Sequence, residues 1–178
     1  MGAEGAAARA YFGGLARCVP EAYGFSGRVR RPPTDPVNAL LSFGYVLLTE
    51  EVTGAAWAAG LDADLGVLHA TRAGRPALAL DLVEEVRVLI DALTVSVLRR
   101  RALRPEHFHD DLATGGTRMT DDGRRAFVHE YELKLLTLFT HPGTGERVSY
   151  RRALSLQAEL FAQHLRDPGT RYLPILLS

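Results

Sequence analysis

The chain has 178 residues, enough for one domain with a sizeable core, and its 21 basic and 21 acidic residues cancel. Overall charge therefore singles out neither nucleic acid nor a membrane surface nor an acidic partner. One cysteine, Cys18, excludes an internal disulfide and a cysteine-rich zinc site, which fits a reducing cytoplasm.

Ala3 to Cys18 reads as a helix, with Ala8, Tyr11, Phe12 and Leu15 as its apolar stripe and Glu4 in its first turn, where the macrodipole favours an acid. The abrupt start suggests a fragment or one half of a larger protein, and no basic-then-apolar leader is apparent. Val19 to Thr34 is a Pro- and Gly-rich loop. Its Arg28, Arg30 and Arg31 form either a solvated cluster or a patch for a phosphate backbone.

Thr34-Asp35-Pro36 signals a helix start. The helix runs to about Ala59, and Val37, Leu40, Leu41, Tyr45, Leu47, Leu48, Val52 and Trp57 cover most of its circumference, which predicts burial. Gly44 and Gly54 would allow close helix contacts, Gly60 stops the helix, and Asn38 is expected to make a hydrogen bond near the cap. A second long helix is expected from Leu78 to Leu103. His107 to Gly123 reads as a connecting loop. A further helix begins near Asp121 and reaches Phe139, a final one runs from Ser149 to Leu165, and a short apolar tail follows. No period-two alternation persists and apolar stretches break before a membrane span, so the expected architecture is an all-α domain of five or six helices around a buried central helix.

The stretch Leu65 to Glu85, LGVLHATRAGRPALALDLVEE, holds the chemistry. His69 sits in a turn, Arg72 and Arg75 follow, and Asp81, Glu84 and Glu85 share one helix face. A neutral imidazole with carboxylates suits Mn²⁺ or Mg²⁺. The plainer alternative is a loop histidine beside a solvated acidic face.

Taken in order, EGAAARAYF (Glu4 to Phe12), DPVNALLSFGYVLL (Asp35 to Leu48), GLDADLGVLH (Gly60 to His69), RPALALDLVEEVRVLID (Arg75 to Asp91) and YRRALSLQAELFAQHL with RYLP resemble the C-terminal helical domain of the Cas1 family, the integrases of CRISPR adaptation. The resemblance implies a metal-dependent DNA endonuclease and integrase that joins the 3′-hydroxyl ends of spacer DNA to a repeat. It implies Glu4, His69 and Glu84 as ligands of one Mg²⁺ or Mn²⁺, Asp81 as an acid supporting the ligands, a group positioning the DNA end or an alternate ligand, and Glu85 as a solvent or structural acid. It also implies DNA, a second copy of the chain and Cas2 as partners, without a membrane, and an N-terminal β-rich domain not contained in these residues. Arg28, Arg30, Arg31, Arg72 and Arg75 are the candidate DNA contacts. Two other readings stand beside it: another metal-dependent nuclease or mobile-element integrase on the same fold, and a non-catalytic DNA-binding or scaffold fragment.

Overall fold

The computed structural model describes residues 2–72, 74–167 and 169–175, and of residues 3 and 4 the backbone alone. Six α-helices dominate the described residues: α1 (Ala3–Ala16), α2 (Pro36–Ala58), α3 (Ala77–Val86), α4 (Val88–Arg99), α5 (Asp121–Leu136) and α6 (Tyr150–Arg166). Two antiparallel hairpins pair β1 (Phe108–Asp111) with β2 (Gly116–Met119) and β3 (Leu138–Thr140) with β4 (Arg147–Ser149). The fold is thus helical, as expected, with small strands added. The chain forms two compact units, Met1–Gly44 with Ile90–Glu132 and Tyr45–Leu89 with Leu133–Ser178.

In the first unit, Asp35 caps α2: its Oδ1 accepts from Asn38 N at 2.8 Å, and Pro36 takes the first helical position. Asn38 is fully buried and satisfied. Its amide donates to Gly27 O and Asp35 Oδ2, and its Oδ1 accepts from Val29 N and Arg28 Nη1, both at 2.9 Å. The apolar core here includes Phe12, Val37, Leu40, Leu41, Ile90, Val97 and Phe127. Gly44 is needed for close packing, because a Cβ there would lie 2.6 Å from Ile90 Cγ2 and 3.2 Å from Phe127 Cζ. Tyr11 is half-exposed, yet its hydroxyl donates to the buried Asp91 at 2.5 Å.

Three expectations change. The supposed loop between His107 and Gly123 contains the β1–β2 hairpin, registered from Phe108↔Met119 to Asp111↔Gly116. Four-residue strands are too short to establish alternation, and the FHDD strand is polar. Similarly, α5 stops at Leu136, and Phe139 lies in β3, stacked on the Tyr150 ring at 4.4 Å. The third change is at Arg87, where the single helix expected from Leu78 to Leu103 divides into α3 and α4. Arg87 keeps helical angles (φ −53°, ψ −36°), so no glycine or proline announces the division.

α2 is also less buried than its composition implies. Val46, Glu50, Gly54 and Trp57 recur at helical spacing and are all exposed, Trp57 to 66%. Gly54 therefore makes no close contact, and nothing lies within 4 Å of a Cβ built there. The helix ends as expected: Gly60 has φ +76°, and Leu61 N reaches back to Ala56 O at 2.9 Å. The buried core of the second unit includes Leu48, Val52, Ala77, Leu82, Val83, Val86, Leu135, Leu154 and Ala158.

Candidate metal centre

His69 and the acids of α3 all lie in the second unit. The loop that brings them together begins with Asp62, whose Oδ1 accepts from Asp64 N at 3.0 Å in a local turn. Ala63 then turns inward, and its carbonyl accepts from Leu78 N at 2.9 Å, satisfying a free amide in the first turn of α3. Gly66 lets the loop double back. A Cβ there would meet His69 O at 2.5 Å and Ala77 Cβ at 2.7 Å.

Asp81 fastens the loop. Its Oδ2 accepts from Val67 N at 2.6 Å and Leu68 N at 2.9 Å, and its Oδ1 from His69 N at 3.0 Å. The His69 ring approaches the same oxygen through Nδ1 at 2.5 Å. Burial pushes the Asp81 carboxyl upward, but the three amides and the imidazole outweigh it and hold it below the usual range. Asp81 is therefore an anion with only acceptors, and Nδ1 must carry the proton. In a neutral ring with that tautomer, Nε2 is the atom with a free lone pair. The Asp81 side chain is 7% exposed and that of His69 31%.

Spacing alone puts Asp81, Glu84 and Glu85 on one face, but they face different partners. Glu84 is half-exposed and accepts twice from Arg87 Nη1, at 2.8 and 3.0 Å. The Arg87 guanidinium lies over the Tyr45 ring, 4.6 Å from its centroid. Glu85 accepts from Gln157 Nε2 at 2.8 Å, from Ile175 N at 3.0 Å and from the Tyr172 hydroxyl. It is a structural acid, not a solvated one. The Glu84–Arg87 pair was readable from its three-residue spacing; no local pattern announces Glu85's partners, 72 to 90 residues away.

The side chain of Glu4, the third ligand expected from the resemblance, lies outside the described residues. Among the described residues, no group of three or more His, Cys, Asp or Glu is placed to hold a metal ion. Arg28, expected in a solvated cluster or a phosphate patch, is engaged within the chain. It donates to Asn38 Oδ1, to Ser42 Oγ at 3.0 Å and to Val29 O at 2.8 Å, and so supports the start of α2. Arg30, Arg31, Arg72 and Arg75 are exposed. Arg75 N donates to Arg72 O at 3.1 Å across a turn in which Gly74 has φ +71°. No helix of the described residues is long and apolar enough to cross a membrane.

The profile of the family described as "CRISPR associated protein Cas1" matches residues 1–133. The CRISPR-associated endonuclease Cas1 3 of Thermus thermophilus is 43% identical over 174 residues, which are 97% of this chain and 52% of that protein. The Cas1 endonuclease of Leptospira interrogans is 36% identical over 178 residues, covering 98% of this chain and 70% of that protein. Three solved structures resemble the fold. One is a casposase bound to integration product, with TM-score 0.85, 26% identity and coverage of 93% of this chain and 46% of that one. Another is a CAS1 protein from Thermotoga maritima, with TM-score 0.79, 28% identity and coverage of 92% and 50%. A partial Cas6-RT-Cas1–Cas2 complex is also similar, with TM-score 0.82, 26% identity and coverage of 97% and 51%. The chain spans about half the length of most of these relatives (52%, 46%, 50% and 51%), and 70% of the Leptospira protein. The family profile and the relatives agree over nearly the whole chain, and the chain belongs to the Cas1 family.

Proposed function

We propose that this chain is the catalytic helical portion of a Cas1 DNA endonuclease and integrase, and that His69 and Glu84 hold its divalent cation. The observation that carries the reading is the bonding of Asp81. By fixing the Val67–His69 amides and Nδ1, it leaves the His69 Nε2 lone pair available. A metal-bound histidine is commonly oriented in this way, its other nitrogen donating to a carboxylate. Glu84 offers an accessible carboxylate one turn further on, and the family resemblance adds Glu4. An imidazole with carboxylates fits Mg²⁺ or Mn²⁺. When bound, such a cation offsets charge on a phosphodiester and acidifies an attacking hydroxyl.

The chain's own residues do the rest. Asp81 keeps the His69 loop in place and the imidazole in one tautomer. Arg72 and Arg75 flank the loop and contact phosphates as exposed cations, with Arg30 and Arg31 as further phosphate contacts. In the proposed reaction, the 3′-hydroxyl oxygen of a spacer end forms a new P–O bond to a repeat phosphodiester. The P–O bond to the leaving strand breaks, and that strand departs as a 3′-hydroxyl carrying the proton. With water as the nucleophile, the same site nicks DNA. A second copy, Cas2, spacer ends and the repeat are the proposed partners, in the cytoplasm.

The test is a joining and nicking assay with Mn²⁺ on the wild type, His69→Ala and Glu84→Gln. Both activities should be present in the wild type and lost in the variants while the helical spectrum stays unchanged. Equal activity in all three would refute the assignment. Likeness to the casposase supports a second reading, a mobile-element integrase. Joining that requires an element's own terminal sequences in place of a repeat would select it.

A further inference from the structure

We propose that residues 172–175 are a latch on α3, with Tyr172 and Glu85 as positioning residues for Glu84. The inference rests on the proposed cation site but begins from separate contacts. Glu85 Oε2 accepts from Gln157 Nε2 at 2.8 Å and from Ile175 N at 3.0 Å, while Oε1 accepts from the Tyr172 hydroxyl. Gln157 is 4% exposed, and its Nε2 also lies 3.0 Å from the Tyr172 oxygen and 3.2 Å from Leu173 O. Apolar contacts hold the same segment: Ile175 is buried, and the Tyr172 ring packs edge-on against Phe161 with centroids 5.3 Å apart. Burial pushes the Tyr172 hydroxyl far up from its ordinary pKa, so it remains a donor at every working pH.

The position of Glu85 gives the latch its consequence. α3 has ten residues and ends at Val86. Its last turn carries both Glu84 and Glu85, just before the division from α4 at Arg87. Asp81, one turn earlier, is already fixed by the Val67–His69 loop. In a helix each residue turns about 100° and rises about 1.5 Å. Anchoring residues 81 and 85 at both ends of that turn therefore fixes the backbone that carries Glu84, whose carboxylate Arg87 also holds. Releasing the segment leaves Asp81 and His69 joined but frees the turn that carries Glu84.

The experiment uses the full chain with Tyr172→Phe, which removes one hydroxyl, and Glu85→Gln, which keeps one acceptor oxygen. Glu85→Ala is the stronger variant, and Ala158→Gly in the buried face of α6 is a stability control. Mn²⁺ affinity and amide hydrogen exchange are measured on each. Tyr172→Phe should weaken Mn²⁺ binding by at most about 10-fold, the low end of the loss seen when a group bonded directly to a ligand is removed, because Tyr172 acts through Glu85. It should also speed exchange of residues 83–87 while Val67–His69 stay protected. Glu85→Gln should fall between the wild type and Glu85→Ala, and Ala158→Gly should lower the melting temperature without changing Mn²⁺ affinity. If Tyr172→Phe changes only the melting temperature, or leaves exchange of residues 83–87 as in the wild type, the latch is overturned. If the wild type binds no Mn²⁺, the cation reading fails on its own, and the exchange result still decides the latch.

Discussion

Replacing Asp81 perturbs the candidate site most sharply, because one carboxylate accepts three amides and an imidazole. Hydrogen bonds to a charged group are worth about 1.5–3 kcal/mol each, so four would sum to roughly 6–12 kcal/mol if fully buried and additive. They are neither. Val67 and Leu68 are exposed, and water replaces the carboxylate at their amides once the loop relaxes. We therefore expect Asp81→Ala to cost about 2–4 kcal/mol. Asp81→Asn should cost a comparable amount, because its amide turns a donor toward N–H groups. Chemical denaturation gives the magnitude, and its pH dependence gives the cause. The Asp81 pKa is lower in the folded chain than its ordinary 3.8. The unfolded chain therefore binds more protons in that range, and the contribution is present above 3.8 and lost as pH falls through the folded value. The wild type should lose stability on that acid limb, and Asp81→Asn should lose less. Mn²⁺ affinity should fall about 10–100-fold in Asp81→Ala. Stability within about 0.5 kcal/mol of the wild type, the range of an ordinary surface substitution, together with an unchanged acid limb, would refute the reasoning.

Other outcomes follow from the same geometry. Gly44→Ala places a methyl 2.6 Å from Ile90 Cγ2, and denaturation should show a loss of about 1–3 kcal/mol from overpacking. His141 is 1% exposed, and its Nδ1 accepts from Gly143 N and Thr144 N at 3.2 Å. Burial lowers its pKa below 6.5, only partly offset by Gln157 and Glu146. Its contribution to stability should be complete above pH 6.5 and decline as pH falls toward the folded value, a limb that His141→Asn should remove from a melting-temperature profile. Arg72→Ala and Arg75→Ala should each weaken binding to any duplex and reduce the salt slope by about one; unchanged affinity and slope would make them ordinary loop residues.

The sequence displayed the helices more clearly than the site. Asp35-Pro36 and Gly60 mark the ends of α2 because capping and a left-handed glycine are local chemistry. The burial of Val37, Leu40 and Leu41 follows from helical spacing. By contrast, the exposed row of Val46, Glu50, Gly54 and Trp57 was hidden because an apolar residue looks the same to spacing whether or not a neighbour covers it. The hairpins were hidden by strands of three and four residues. At the site, His69 and the acids were visible as residue types, but their division of labour was not. Asp81 serves a loop twelve to fourteen residues back, Glu84 serves Arg87, and Glu85 serves a segment that reaches ninety residues ahead. Only the fold distinguishes them.

The most direct measurement concerns His69 itself. The imidazole nitrogens and Cε1 proton of each histidine can be followed by NMR as Mn²⁺ is added in small fractions of an equivalent. The account predicts that the His69 resonances broaden first and that Glu84→Gln abolishes the effect. Selective broadening of a different histidine, or broadening of His69 that persists unchanged in Glu84→Gln, would contradict the claim that His69 and Glu84 share one cation.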